Sequence, residues 1–152
     1  MNIETLSRIL KLDPLIRRNF GGVLELDELK KKVEKQTSFP VIYVFYFEGH
    51  FTVIYFGKTK NQFFDSLNLP FDIYGSQFIN FLAENHIFGV FSSPVQSDRS
   101  IYCSLFCIYV CYCLSRNVKT DLLYSVFPKT DLSKNDYILR AFMDHYLSRF
   151  SS

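Results

Sequence analysis

Four cysteines and three histidines are the side chains of this 152-residue chain best suited to nucleophilic or acid–base chemistry. Cys103, Cys107, Cys111 and Cys113 all fall in one uncharged apolar run between Arg99 and Arg116. The first three recur every four residues, so on a helix they form one drifting stripe. Thiols on one helix point the same way and do not readily pair, so no disulfide framework is expected, and reduced thiols suit a reducing compartment. The spacing lacks paired C-x-x-C halves and no His lies nearby in sequence, so no metal is expected either. The reactive form of a cysteine is its thiolate, which a helix N-terminus or a neighbouring imidazolium stabilises. Cys103 stands at the predicted first turn of a buried helix, directly after a polar loop. Cys107, Cys111 and Cys113 lie deeper, where a low dielectric raises the pKa, and read as small core hydrophobes. Cys103 is the candidate nucleophile.

The base must come from His50, His86 or His145. His145 falls on an amphipathic terminal helix, where a solvated imidazole is the default. His86 follows a helix end, a common place for a cation. His50 sits in Gly49-His50-Phe51, at a tight junction between two strands, where a side chain can point into a cleft. Asp65, after Phe63-Phe64 at the end of a short apolar strand, is either a strand-end cap or a buried partner that orients an imidazole. Gln96 lies seven residues before Cys103 on the loop leading to it. A Gln in a polar loop is usually solvated; placed beside a nucleophile, its amide can instead bind an oxyanion.

The elements that must position these residues can be read from periodicity. Asn2 to Leu12 predicts a short helix ended before Pro14. Phe20-Gly21-Gly22-Val23 reads as a turn into Leu24. Asp27 to Gln36 predicts a helix, with Leu29 and Val33 on its apolar side and Lys30-Lys31-Lys32 as its solvated face. Val41 to Phe47 and Phe51 to Phe56 are β-branched and aromatic runs that predict strands, joined at Glu48-Gly49-His50. Gln62 to Ser66 predicts a third strand, Asn68 to Gly75 a loop, Gln77 to Asn85 an amphipathic helix and Ile87 to Phe91 another strand. Ser92 to Ser100 is a polar loop opening onto the cysteine helix, about Tyr102 to Arg116. Thr120 to Val126 and Asn135 to Phe150 complete the chain as helices. Strands between helices predict an α+β fold, and no repeat or linker divides residues 1–152, so one domain is expected.

Composition narrows the function. With 48% hydrophobic and 21% charged residues the chain is globular. Seventeen Lys and Arg face fifteen Asp and Glu, which argues against a strongly basic nucleic-acid binder. Seventeen Phe and ten Tyr, with no Trp, supply a core with large buried area per residue. No apolar run reaches the ~18 residues of a membrane span, and charges interrupt Met1 to Leu15, so neither a membrane role nor a secretory signal is expected.

Taken together and in order, these residues resemble a family. Phe20-Gly21-Gly22-Val23 with Asp27 and Leu29 looks like the N-terminal F-x-G-V…D-x-L signature of the adenovirus-type cysteine proteases, adenain and its relatives in Maverick/Polinton-like elements and other DNA viruses. Gly49-His50, followed by an aromatic and a β run, resembles that family's G-x-H-W segment. Phe63-Phe64-Asp65-Ser66 with Leu69-Pro70 resembles its F-D-S stretch. Val95-Gln96-Ser97, then Cys103 and Leu105-Phe106-Cys107, resembles its Q-S…C-G-x-(F/Y)-C core. The resemblance implies a small mixed β-sheet packed against a central cysteine-bearing helix, as in the ubiquitin-like proteases. It implies Cys103 as nucleophile, His50 as its base and later acid, Asp65 as the residue that orients His50, and Gln96 with the Cys103 backbone N–H as oxyanion donors. The implied reaction is amide hydrolysis through a thioester, on viral capsid or core precursor proteins at Gly-containing sites. The implied location is the host nucleus or cytoplasm, with packaging in the virion.

Three departures accompany the resemblance. Ser104 stands where the family has Gly, Phe51 where it has Trp, and the chain is shorter. Adenovirus enzymes are activated by a disulfide-linked peptide and by DNA. Here no cysteine lies outside Cys103 to Cys113, so disulfide-linked activation is not expected, a non-covalent activating peptide stays open, and the near-neutral charge weakens DNA activation. No cofactor is expected. Two other readings share the same residues: a deubiquitinase or SUMO-type isopeptidase, and a non-catalytic binding or assembly protein on a degenerate protease fold.

Overall fold

The structure is a computed structural model that describes residues 1–98 and 100–150. Its centre is a five-stranded mixed sheet in sequence order: β1 (Phe20–Leu24), β2 (Val41–Phe47), β3 (His50–Phe56), β4 (Asn61–Phe64) and β5 (Ile87–Gly89). β1 runs parallel to β2 and β5 parallel to β4, while β2, β3 and β4 are antiparallel neighbours. The helices are α1 (Ile3–Leu12), α2 (Pro14–Arg17), α3 (Leu26–Glu34), α4 (Ser76–Glu84), α5 (Cys103–Ser115), α6 (Thr120–Ser125) and α7 (Ser133–Ser148), with a 3-10 turn at Phe71–Tyr74.

Side chains alternate across a strand, and here both faces of the sheet are covered. Ile42, Val44, Phe51, Val53 and Phe64 pack with α1, α5 and α7 in one core. Tyr43, Phe45, Ile54, Phe56 and Phe63 pack with Leu29 of α3 and with Phe78, Phe81 and Leu82 of α4 in a second. This two-sided burial is why β2 and β3 read as continuous apolar runs rather than alternating ones. α5 is apolar all round, as expected of a buried helix: Cys107, Ile108, Val110 and Cys111 are essentially inaccessible. The aromatic excess fills both cores, with Phe45 stacked on Phe78 at 4.5 Å and Phe91 on Tyr124 at 4.4 Å between ring centroids.

Several segments depart from expectation: Pro14–Arg17 and Phe71–Tyr74 form short helical turns, and β4 and β5 end at Phe64 and Gly89, short of Ser66 and Phe91. Phe20–Leu24 is a strand, not a turn. Gly21 lies across the Tyr43 ring, so closely that a Cβ would fall 2.2 Å from Cε1. Gly22 takes φ 132 beside a register shift between Phe20 and Gly22. The Gly pair thus serves a close approach and a bulge inside a strand. The lysine run also does more than face water: Lys32 Nζ donates to Gly21 O at 2.8 Å, tying α3 to β1.

Candidate active site

β2 and β3 are joined by a two-residue turn, Glu48-Gly49, both at positive φ (46 and 86). That geometry is the mirror-image turn that matches strand twist, and Gly suits its second position. It sets Phe47 opposite His50 as the last pair of the hairpin. His50 is therefore the first residue of β3. Antiparallel pairing sets Val53 opposite Phe64, so the end of β4, and Asp65 just after it, lies at the same end of the sheet.

His50 Nε2 and Asp65 Oδ1 are 2.8 Å apart, with only 14% and 5% of the two side chains exposed. The Asp65 carboxylate accepts three further hydrogen bonds: from Leu67 N at 3.0 Å, Leu69 N at 3.1 Å and Tyr74 Oη at 2.6 Å. Burial pushes its pKa up, but the His50 and Tyr74 hydrogen bonds outweigh burial and hold the carboxyl below the ordinary aspartate value. Asp65 is an ionised, fully engaged acceptor, the group required to hold an imidazole in one orientation.

α5 begins at Cys103, with Tyr102 as a cap residue whose side chain makes no capping hydrogen bond. The first N–H groups of a helix have no intrahelical partner, so this end presents donors to whatever sits before it. Cys103 is half-buried. Burial raises its pKa, but the neighbouring His50 imidazole and the nearby Phe51 and Ser104 backbone favour the thiolate and leave it lowered overall. His50 responds in the opposite sense: burial lowers it, while Asp65 and then Cys103 raise it to about 9. With Nε2 committed to Asp65, Nδ1 is the nitrogen left for the thiol. Cys107, one turn further along, is pushed up well above the ordinary thiol value by burial, and Cys111 and Cys113 are raised by the same cause. One thiol of four is thus poised to ionise, and it is the one beside the imidazole.

Gln96 is 4% exposed. Its Oε1 accepts a short hydrogen bond from Ser66 Oγ, and its Nε2 donates to Ser100 O at 3.0 Å. The backbone N–H groups of Val95 and Gln96 both reach Ser66 O at 2.9 Å. Gln96 is therefore locked between the residue after Asp65 and the loop entering α5, with one amide hydrogen of Nε2 still uncommitted. Ser104 and Phe51 are both buried; the Phe51 ring packs on Tyr46 at 5.0 Å.

The remaining histidines lie elsewhere. His86 follows α4 at φ 52 and is exposed, and His145 is exposed in the last turn of α7. Among the described residues no group of three or more His, Cys, Asp or Glu could hold a metal ion, and no helix is long and apolar enough to cross a membrane.

Three supporting residues escaped the sequence reading. Tyr74, inside the segment read as a loop, is clamped by Phe45, Phe47, Phe63 and Phe78 at 5.2 to 5.9 Å and aims its hydroxyl at Asp65. Ser66 fixes Gln96. Asn135 of α7 donates to Val95 O at 2.6 Å and holds the Gln96 loop from behind. No spacing signals these roles; only the aromatic-rich surroundings of Tyr74 hint at a packed ring. Compared with protein-family models and with curated proteins, the chain matches none.

Proposed function

We propose that this chain is an adenain-type cysteine endopeptidase with the fold of the adenain and ubiquitin-like proteases, acting on viral capsid or core precursor proteins at Gly-containing sites. The observation that carries the proposal is Cys103 at the start of a buried helix, near enough to His50 for each to shift the other's pKa, with His50 hydrogen-bonded through Nε2 to Asp65 at 2.8 Å. An imidazole held between a carboxylate and a lowered-pKa thiol is the arrangement that covalent thiol catalysis requires.

In this reading the Cys103 thiolate attacks the scissile carbonyl carbon, a C–S bond forms and the carbonyl oxygen takes the negative charge. The Cys103 N–H at the uncapped start of α5 and the free Nε2 hydrogen of Gln96 are the donors nearest in role to that oxyanion. Collapse breaks the C–N bond as His50 gives its proton to the leaving amine. Water then attacks the thioester with His50 as base, the C–S bond breaks, and the acid leaves. Asp65, fixed by Tyr74 and two backbone N–H groups, keeps the imidazole oriented throughout.

Incubation with a Gly-Gly-containing peptide or a virion precursor, beside Cys103→Ala, tests the assignment. Cleavage by the parent chain and loss of at least ~10³-fold in the variant is expected. Equal cleavage by both removes Cys103 from the mechanism. Covalent capture by a ubiquitin or SUMO vinyl probe, with no precursor cleavage, assigns the same site to an isopeptidase instead.

A further inference from the structure

At the end of the sheet opposite His50, where β2 begins and β3 turns into β4, a cleft of about 820 Å³ opens beside the C-terminal end of α5. Its floor is Ile42, Tyr55 and Leu114, and its rim carries Arg18, Lys58, Lys60 and Lys119. The four cations come from three places in the fold: Arg18 just after α2, Lys58 and Lys60 in the β3–β4 turn, and Lys119 before α6. All four are exposed. None of the four side chains makes an ion pair with another described residue, because the ion pairs found are His50–Asp65 and Arg116–Asp13. The lining holds a single carboxylate, Asp121.

This local excess stands out in a chain whose Lys and Arg total exceeds Asp and Glu by only two. Like charges converging on one concavity repel one another, and partner carboxylates on the rim would relieve that repulsion. Here the chain supplies one. The lining adds neutral groups that suit an oxyanion with many acceptor atoms, among them Asn117, Thr59 and the Gln62 amide. The volume falls in the range of small-ligand sites. We infer that the cleft formed by Arg18, Lys58, Lys60 and Lys119 binds a compact anion bearing several phosphates. The site is separate from Cys103, at the far end of α5, and does not depend on the protease reading.

Isothermal titration of the full chain with sodium tripolyphosphate tests this, with sodium sulfate at matched ionic strength as the control. Saturable binding is expected for tripolyphosphate and much weaker binding for sulfate. Lys60→Glu with Lys119→Glu should weaken tripolyphosphate binding at least ~10-fold, since two attractive interactions become repulsive, and added salt should weaken it in the parent. Lys134→Glu, exposed on α7 and away from the cleft, should leave binding unchanged. Absence of binding, equal binding of sulfate, or indifference to the paired reversal overturns the inference. Binding of single-stranded DNA that tightens with strand length, is lost in the same paired variant and exceeds tripolyphosphate binding also overturns it, assigning the cleft to a polymer.

Discussion

A thiolate on Cys103 and a proton on His50 stabilise each other, and this sets where on the pH scale the pair is charged. Cys103 lies below the ordinary thiol value and His50 is raised to about 9. Alkylation by iodoacetamide reads the thiolate directly. Its rate at Cys103 should reach half-maximum below the pH expected of a free thiol, and His50→Ala should move that midpoint upward, because the neighbouring imidazole and its positive charge are gone. A midpoint unchanged by His50→Ala would show that the imidazole does not set the thiol. Peptide hydrolysis, which also needs the His50 proton for the leaving amine, should fall as pH rises past about 9 even though the thiolate persists. Tyr74→Phe isolates the next contact out. It keeps the clamped ring and deletes one of the four hydrogen bonds to Asp65. The Asp65 carboxyl, followed by carbon NMR, should titrate at higher pH than in the parent, and unfolding should cost about 1–2 kcal/mol less. An unmoved Asp65 titration would mean that Tyr74 does not help hold the charge.

At the scale of elements, the β2–β3 hairpin delivers His50, and its turn carries an avoidable cost. Glu48 sits at φ 46, a left-handed conformation that suits Asn or Gly, while Gly49 beside it is well matched at φ 86. Glu48→Asn creates the Asn-Gly pair that this turn favours and should stabilise the chain by about 0.5–1 kcal/mol in urea unfolding. Gly49→Ala should destabilise it by a similar amount although nothing lies within 4 Å of the added Cβ, because the cost is backbone strain and not collision. A neutral result for both would argue that the hairpin tolerates the turn without strain. The same hairpin shows what sequence makes legible. β2, β3 and the turn between them are local features, so a run of β-branched and aromatic residues broken by Glu48-Gly49 suffices to place them. α5 is equally plain, since thirteen residues without a charge mark a buried helix. β1 was hidden because Gly-Gly signals a turn unless the Tyr43 ring beneath Gly21 is known. His50, Asp65 and Cys103 could each be singled out by residue type and neighbouring element. Their supports could not: Tyr74 depends on four aromatic neighbours from β2, β4 and α4, and Ser66 depends on Gln96, thirty residues away.

At the scale of the whole molecule, a second buried carboxylate anchors the far end of the helix that carries the nucleophile. Asp13 is 1% exposed and caps α2 by accepting from Leu15 N at 2.9 Å. Its Oδ2 accepts from Arg116 Nη1 at 2.8 Å and, in a short hydrogen bond, from Tyr146 Oη. Arg116 also lies over the Tyr112 ring at 3.9 Å from its centroid. One carboxylate thereby joins the N-terminal helices, the C-terminal end of α5 and α7, across 103 and 133 residues of chain. Burial pushes the Asp13 pKa up, but the Arg116 and Tyr146 hydrogen bonds bring it below the ordinary value. A carboxyl depressed in the folded state contributes stability that is fully present above its unfolded pKa, ~4, and is lost as pH falls through the lower folded value. Asp13→Asn keeps the shape and, through its one amide oxygen, the cap on Leu15 N, while removing the charge and the Oδ2 acceptor of Arg116 and Tyr146. It should lower unfolding stability at neutral pH by about 2 kcal/mol, less than the cost of breaking a fully buried pair because Arg116 still reaches water. Near pH 3 the difference between parent and variant should shrink, since the parent is then losing the same charge. Urea unfolding at both pH values measures this, and an equal difference at each would remove Asp13 from the acid response. α5 is about 20 Å long at 1.5 Å per residue, so the clamp and Cys103 stand at opposite ends. Asp13→Asn should therefore leave the alkylation midpoint of Cys103 where it was while the molecule loses stability, separating what holds this fold together from what ionises its thiol.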